Sequence, residues 1–166
     1  MRIREGEVTG PEESRLLADY FSYRADAFPQ RGAYVVTGPK PADYAPSRGV
    51  FLLVEDDDGI AVGCAGLRML DAPIAGDAPT ADGARAEVKH VWLSPAARGR
   101  GWAHDLMAEL ERRALELGAT QLVLDTHHTL DGAARLYARE GFTEIAAYND
   151  NPNATRWYGK RIGPAQ

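Results

Sequence analysis

A mixed α/β fold is expected from this sequence on three grounds. Short apolar strands alternate with stretches of helical periodicity in the order β-α-β-β-β-α-β-α-β-β, which places two β-α-β crossovers in the second half. The length of 166 residues suits one domain with a substantial core, so a single domain spanning 1–166 is expected. Apolar residues at 45% and charged residues at 26% give a globular balance, not that of a disordered chain.

The elements follow in order. Ile3 to Glu5 reads as a short first strand. Pro11-Glu12-Glu13 opens a helix, with proline at an N-terminal position and acids in the first turn. Leu16, Leu17, Tyr20, Phe21, Arg24 and Ala27 recur at helical spacing until Pro29. Residues 30–49 carry three prolines and three glycines and read as loop with a short helix. Gly49 to Val54 is a strand, Asp57-Asp58-Gly59 a turn, and Ile60 to Met69 the hairpin partner. Residues 70–83, with Pro73, Gly76, Pro79 and Gly83, form a loop long enough to be functional or mobile. Arg85 to Leu93 (RAEVKHVWL) is a strand that Ser94-Pro95 stops. From Gly101 to Leu117, Trp102, Leu106, Met107, Leu110 and Ala114 keep a helical period, and Gly118 ends the helix. Gln121 to Leu124 is a buried strand, and Asp131 to Glu140 a helix closed by Gly141. Residues 142–147 and 155–160 are the last strands, joined through Asn149-Asp150-Asn151-Pro152-Asn153.

Charge and composition exclude several functions. Nineteen Lys+Arg against 24 Asp+Glu leave a net charge of −5, the wrong sign for a general nucleic-acid binder and better suited to a cationic substrate. Cys64 stands alone, which rules out a disulfide framework and a multi-thiolate metal site. No apolar run is long enough for a membrane helix, and MRIREGEVTG lacks the apolar centre of a signal peptide, so a soluble cytoplasmic protein is expected.

The informative segment is VWLSPAARGRGWAHDLM, in which an apolar strand runs through Arg98-Gly99-Arg100-Gly101 into an amphipathic helix. Glycines let the backbone approach a ligand, helix N-terminal amides and dipole favour an anion, and two arginines add charge-assisted contacts. The chemistry is that of a phosphate or pyrophosphate cradle. A solvated loop is the plain alternative. A Walker loop is absent because no Lys-Ser/Thr pair follows, and a dinucleotide fingerprint fails because His104 replaces its third glycine.

These residues resemble the GNAT superfamily of acetyl-CoA-dependent N-acetyltransferases. Its signature [Q/R]-x-x-G-x-[G/A] is matched by Arg98, Gly101 and Ala103, and a second element by Ala133, Leu136, Tyr137, Gly141 and Phe142. The resemblance in element order covers nearly the whole chain, its specific motifs about 85–142. It implies a largely antiparallel mixed sheet, with a central parallel pair splayed at the cofactor site and helices on both faces. It implies that the segment Arg98, Gly99, Arg100, Gly101, Trp102 and Ala103 holds the pyrophosphate of acetyl-CoA. The main chain of Val91, Trp92 and Leu93 would pair with the pantetheine arm like an added strand. One departure is Leu130, where many members carry asparagine and gain a side-chain contact. A homodimer is compatible with the resemblance; no metal is expected.

Acetyl transfer to an amine needs a neutral amine, a stabilised oxyanion and a protonated leaving thiolate. The Leu93 N–H is the donor candidate for the acetyl oxygen. Tyr137 is the acid candidate: the resemblance places a tyrosine hydroxyl near the sulfur, whereas periodicity alone makes it a core aromatic. Glu87 is the preferred base and His90 the alternative; strand alternation puts Glu87, Lys89 and Val91 on one face and Val88, His90 and Trp92 on the other. Tyr20, with Tyr23 and Phe28, and Tyr148 and Asn149, with Asp150 and Trp157, are the candidate walls for a small amine. His127 and His128 are expected to point apart and to border the cofactor cleft, and Cys64 to be buried and inert. The expected activity is transfer of acetyl from acetyl-CoA to a primary amine of a small molecule by direct attack in a ternary complex. An acyl-CoA sensor without turnover and a protein or peptide N-acetyltransferase are the alternatives.

Overall fold

The computed structural model describes residues 1–70 and 84–163; the expected loop at 70–83 lies, Leu70 apart, outside them. The elements are β1 (Arg2–Glu5), α1 (Pro11–Asp26), β2 (Gly49–Glu55), β3 (Ala61–Met69), β4 (Ala84–Leu93), α2 (Trp102–Glu116), β5 (Ala119–Thr126), α3 (Asp131–Arg139), β6 (Thr143–Ile145) and β7 (Arg156–Arg161), with a 3-10 turn at Pro41–Tyr44. The class and order match the expectation. One seven-stranded sheet has the order β1-β2-β3-β4-β5-β7-β6, and β4–β5 is its parallel pair.

Side-chain alternation explains why helices cover both faces. On β2 every residue is buried; Phe51 and Leu53 pack with Leu16 and Leu17 of α1, whereas Val50, Leu52 and Val54 join Leu106, Met107 and Leu110 of α2. Tyr137 and Phe142 place α3 on the same face as α2. The α2 stripe of Leu106, Met107, Leu110 and Ala114 is buried, and each fully buried Leu contributes about 1.5–3 kcal/mol of apolar transfer.

Boundaries shift by a few residues. Helix α1 ends at Asp26, where the Ala27 N–H closes onto Tyr23 O, rather than running to Pro29. The last crossover leads from β5 through α3 to β6, yet β7 fills the gap between them, antiparallel to both.

Two irregularities of β4 shape the centre of the molecule. Its pairing with β5 runs from Ala84–Ala119 to Glu87–Val123 and stops, although β4 continues to Leu93 and β5 to Thr126. Towards β3, Gly66 pairs with Lys89 and Cys64 with Trp92, so β4 carries one extra residue between them. His90, within that bulge, has φ +53°. The bulge overturns the simple alternation. Val88 and Val91 both pack on the α2 face, while His90 meets Tyr20 and Phe21 of α1 and Trp92 joins the α1 cluster.

Candidate active site

Where β4 and β5 part, a cavity of about 650 Å³ opens. Its floor is Val88 to Trp92 of β4 with Asp125 and Thr126 of β5. One wall is Tyr20, Phe21, Tyr23 and Arg24 of α1, and another is Thr129 to Ala133 with Tyr137. Tyr34, Val35 and residues 37–40 cross above it, with Asn149 and Asn151 to Asn153 alongside. That crossing strand of chain is pinned by Asn153, whose Nδ2 donates to Val35 O at 2.7 Å and whose Oδ1 accepts from Val35 N at 2.9 Å.

Tyr137 is buried, and burial pushes its phenol up to about 12, so the hydroxyl keeps its proton throughout the physiological range. The glycine loop stands beyond the end of β4. Gly99 and Gly101 have φ +76° and +82°, and a Cβ at either would meet no atom within 4 Å. Backbone conformation, not lack of space, therefore requires glycine at both. Gly101 caps α2 without a side-chain bond, so the first amides of the helix face outward with the dipole behind them.

Arg98 is not turned to that loop as expected. Its Nε donates to Leu93 O at 3.1 Å, and its guanidinium lies 5.0 Å from the Tyr23 ring and 4.8 Å from the Trp92 ring. A neighbouring carbonyl and two aromatic faces hold this cation against β4 and α1. Arg100 lies 5.0 Å over the Trp102 ring of the helix start and is exposed.

Glu87 is also differently placed. Its carboxylate is 1% exposed and off the cavity wall. It accepts from Arg68 Nε at 2.7 Å, Tyr148 OH at 2.9 Å, Lys89 Nζ at 3.4 Å and Asn149 Nδ2 at 3.4 Å. Arg68 continues to Asp43 at 2.8 Å. Glu87 is the last β4 residue paired with β5, and the side chains of Arg68, Tyr148, Asn149 and Lys89 converge on its carboxylate there. Tyr148 thus donates to Glu87 instead of lining the cavity. Asn149 does line it, but its Nδ2 donates to Asp125 at 2.7 Å and its Oδ1 accepts from Trp157 Nε1 at 2.9 Å. Phe28 turns from the cavity to stack on Tyr34 and His127.

Of the three aspartates on the cavity wall, Asp43, Asp125 and Asp131, none was a candidate from the sequence, and Asp125 stands on the floor. Asp125 is the penultimate residue of β5 and is held by Asn149, by Asn151 Nδ2 at 3.0 Å and by Lys89 Nζ at 3.5 Å. Its signal was available, as the polar residue closing the apolar run Leu122-Val123-Leu124 at the carboxyl end of a strand, where ligands gather. Arg24, Tyr34 and Lys89 are further wall residues whose positions only the long-range contacts reveal.

The family model described as Acetyltransferase (GNAT) family matches residues 14–142. The chain belongs to the GNAT family of acetyltransferases. It is 31% identical over 109 residues to an uncharacterized N-acetyltransferase of Schizosaccharomyces pombe, an alignment covering 66% of this chain; the chain spans 61% of that relative's length. A GNAT-family acetyltransferase of Staphylococcus aureus superposes with a TM-score of 0.75 at 17% identity, over 98% of this chain and 99% of that one. A GNAT phosphinothricin acetyltransferase of Sinorhizobium meliloti, in complex with acetyl-CoA, superposes with a TM-score of 0.63 at 19% identity, over 98% and 88%. At these identities the structural likenesses concern the fold.

Four further residues of this GNAT chain bear on what was expected or carry a consequence. His127 and His128 stack at 4.3 Å and 33° instead of pointing apart, because the chain turns after β5, and neither lines the cavity. Cys64 is fully buried, with Sγ 3.6 Å from His90 O, and burial raises its thiol pKa. His90 is 8% exposed and its Nδ1 has no hydrogen-bond partner. Burial, then the charges of Lys89 and Arg68, lowers its pKa from 6.5 to about 3. The imidazole is therefore neutral in the folded protein and protonated in the unfolded chain at mildly acid pH. Its contribution to stability is complete above pH 6.5 and falls as pH drops towards about 3, at about 1.4 kcal/mol per unit. Urea midpoints from pH 7 to 5 should show this slope, and His90→Asn, which tolerates positive φ, should flatten it by that amount. An unchanged slope in the variant would mean that His90 is solvated.

Proposed function

We propose that this protein transfers the acetyl group of acetyl-CoA to the primary amine of a small molecule by direct attack in a ternary complex. The observation that carries this reading is the cavity at the β4–β5 separation, which brings the unpaired stretch of β4 and the protonated phenol of Tyr137 into one space. The open glycine loop fits a pyrophosphate, since both glycines hold left-handed backbone and no side chain fills the space above them. In this reading the amides from Gly99 to Ala103 hold the pyrophosphate, with Arg100 as the outer cation. Val91 and Leu93 align the pantetheine arm along the free edge of β4. Acetyl-CoA supplies an activated thioester. The Leu93 N–H donates to the acetyl oxygen and Tyr137 protonates the departing thiolate.

For the base, Asp125 is better placed than Glu87, because it borders the cavity whereas Glu87 is enclosed by its partners. The acceptor amine would lose its proton to Asp125 directly or through water. A cavity roofed by residues 34–40 suits a small acceptor better than a protein tail. We propose further that the chain works as one domain, in the cytoplasm; no helix among the described residues is long and apolar enough to cross a membrane.

A thiol-release assay with acetyl-CoA over a panel of small amines and peptides tests the reaction. Release with small amines supports transfer; tight CoA binding with no release on any amine would favour a sensor, the reading that Leu130 at the start of α3 also supports. Gly101→Val is expected to weaken CoA about tenfold by calorimetry, since a β-branched residue at φ +82° costs about 1–2 kcal/mol or displaces the loop. Gly101→Asn should retain most of the affinity.

A further inference from the structure

The net charge of the protein misrepresents the charge of its cavity. Lys89 is matched by Glu87 and Asp125, and Arg68 by Asp43 and Glu87. Asp125 accepts two asparagine amides in addition, and Asp131 sits exposed at the start of α3. Arg24 differs from all of these. It lines the cavity, and among the described residues no carboxylate lies within ion-pair distance of it; Lys40, also on the wall without such a partner, is exposed, whereas Arg24 is half-buried between rings.

Arg24 is nevertheless fixed in place. Its guanidinium lies 5.8 Å from the Tyr20 ring and 5.7 Å from the Tyr34 ring, and Nη1 donates to Tyr20 OH at 3.5 Å. Two aromatic faces thus orient a planar donor fork while leaving most of its N–H groups unspent. Arg24 and Tyr137 both line the one cavity, so the fork and the acid candidate border the same space. A half-buried guanidinium presented this way is complementary to a carboxylate, which it binds through two parallel hydrogen bonds.

We infer that Arg24 is an acceptor-binding residue and that the acceptor is an amine carrying a carboxylate, as in an amino acid, rather than a polycation. The inference rests on the transfer reaction proposed above and narrows its acceptor. The carboxylate sits on Arg24, and the amine, a few bonds away, reaches towards the space bordered by Tyr137 and Asp125. Acidity of the protein as a whole then has little bearing on the choice, since two wall cations, Arg24 and Lys40, lack a carboxylate partner among the described residues, against one such wall carboxylate, the exposed Asp131.

The test compares the standard L-amino acids, each beside its carboxamide and its decarboxylated amine, in the thiol-release assay and in calorimetric titration of the CoA-loaded protein. The acid should exceed its carboxamide by roughly 10- to 100-fold in kcat/KM, the worth of a charged hydrogen-bond pair. Arg24→Gln should reduce the acid to the level of the carboxamide through KM, with the acetyl-CoA KM unchanged, and Arg24→Lys should recover part of the preference. Circular dichroism and CoA affinity confirm that the variants are folded. Equal or better turnover of carboxamides or decarboxylated amines would overturn the inference while leaving the transferase standing. So would an acid preference that survives in Arg24→Gln. If no amine is acetylated, the transfer reaction fails and the titration decides separately: Arg24-dependent binding of the acid alone supports the site, and equal or absent binding of acid and carboxamide overturns it.

Discussion

Tyr137→Phe is expected to lower kcat about 100-fold or more while leaving the KM for acetyl-CoA and the fold intact. The hydroxyl makes no hydrogen bond to another described residue, so its removal strands no partner. The ring contacts that remain in phenylalanine are those that pack the site, with Phe142 and with Tyr158, each at 5.9 Å. A structural role would therefore show as lost stability, and a proton-donating role as lost kcat. The raised phenol, at about 12, also fixes the pH profile. Activity should climb with pH as the acceptor amine becomes neutral, with no descending limb from Tyr137 until the pH nears that value. Stopped thiol-release kinetics against pH, wild type beside variant, make both measurements, and unchanged kcat would remove Tyr137 from the chemistry.

Arg68→Ala carries the largest expected loss of stability. Glu87 lies under the sheet with its carboxylate 1% exposed, and Arg68 supplies two of its contacts, at 2.7 Å, besides reaching Asp43. Breaking a fully buried pair costs about 3–5 kcal/mol. Arg68 is one-third exposed, and Lys89 and Tyr148 stay on the carboxylate, so about 2–3 kcal/mol is the discounted expectation. Arg68→Lys should restore only part of it, because a point ammonium cannot bridge two carboxylates as a fork does. Urea denaturation midpoints decide the matter. A loss below about 0.5 kcal/mol would show that solvent reaches Glu87 and that the network does not hold the site. The same variant should raise the acceptor KM, since Glu87 steadies Lys89, which in turn contacts Asp125.

Local patterns explain what was legible in the sequence. The element order, the two-faced burial of Gly49 to Val54 and the α2 stripe from Leu106 to Ala114 follow from periods of two and 3.6, which any window of the chain displays. Gly99 and Gly101 marked the loop because left-handed backbone leaves a compositional trace. For Tyr137 periodicity alone gave a core aromatic and only the family resemblance implied a place beside the cofactor; the residue both packs in the core and lines the cavity.

Other features depend on residues distant in the chain. The inserted residue at His90 is invisible in RAEVKHVWL, because a bulge is a property of two strands' register and not of one strand's composition. That single insertion moved Val91 and His90 to opposite faces from those expected. Arg98 reads as a phosphate ligand until Tyr23 and Trp92 are seen to flank it.

By itself, then, the sequence determined the mixed α/β order, the glycine loop and the family, since each rests on spacing along the chain. Which charges are spent and which remain free was decided by tertiary structure alone. Glu87, which strand alternation put beside Lys89, is also paired with Arg68 from the adjoining strand, and Arg24, one helical cation among several, has no carboxylate within ion-pair distance among the described residues. Electrostatic pairing depends on distance in space, and only folding sets that distance.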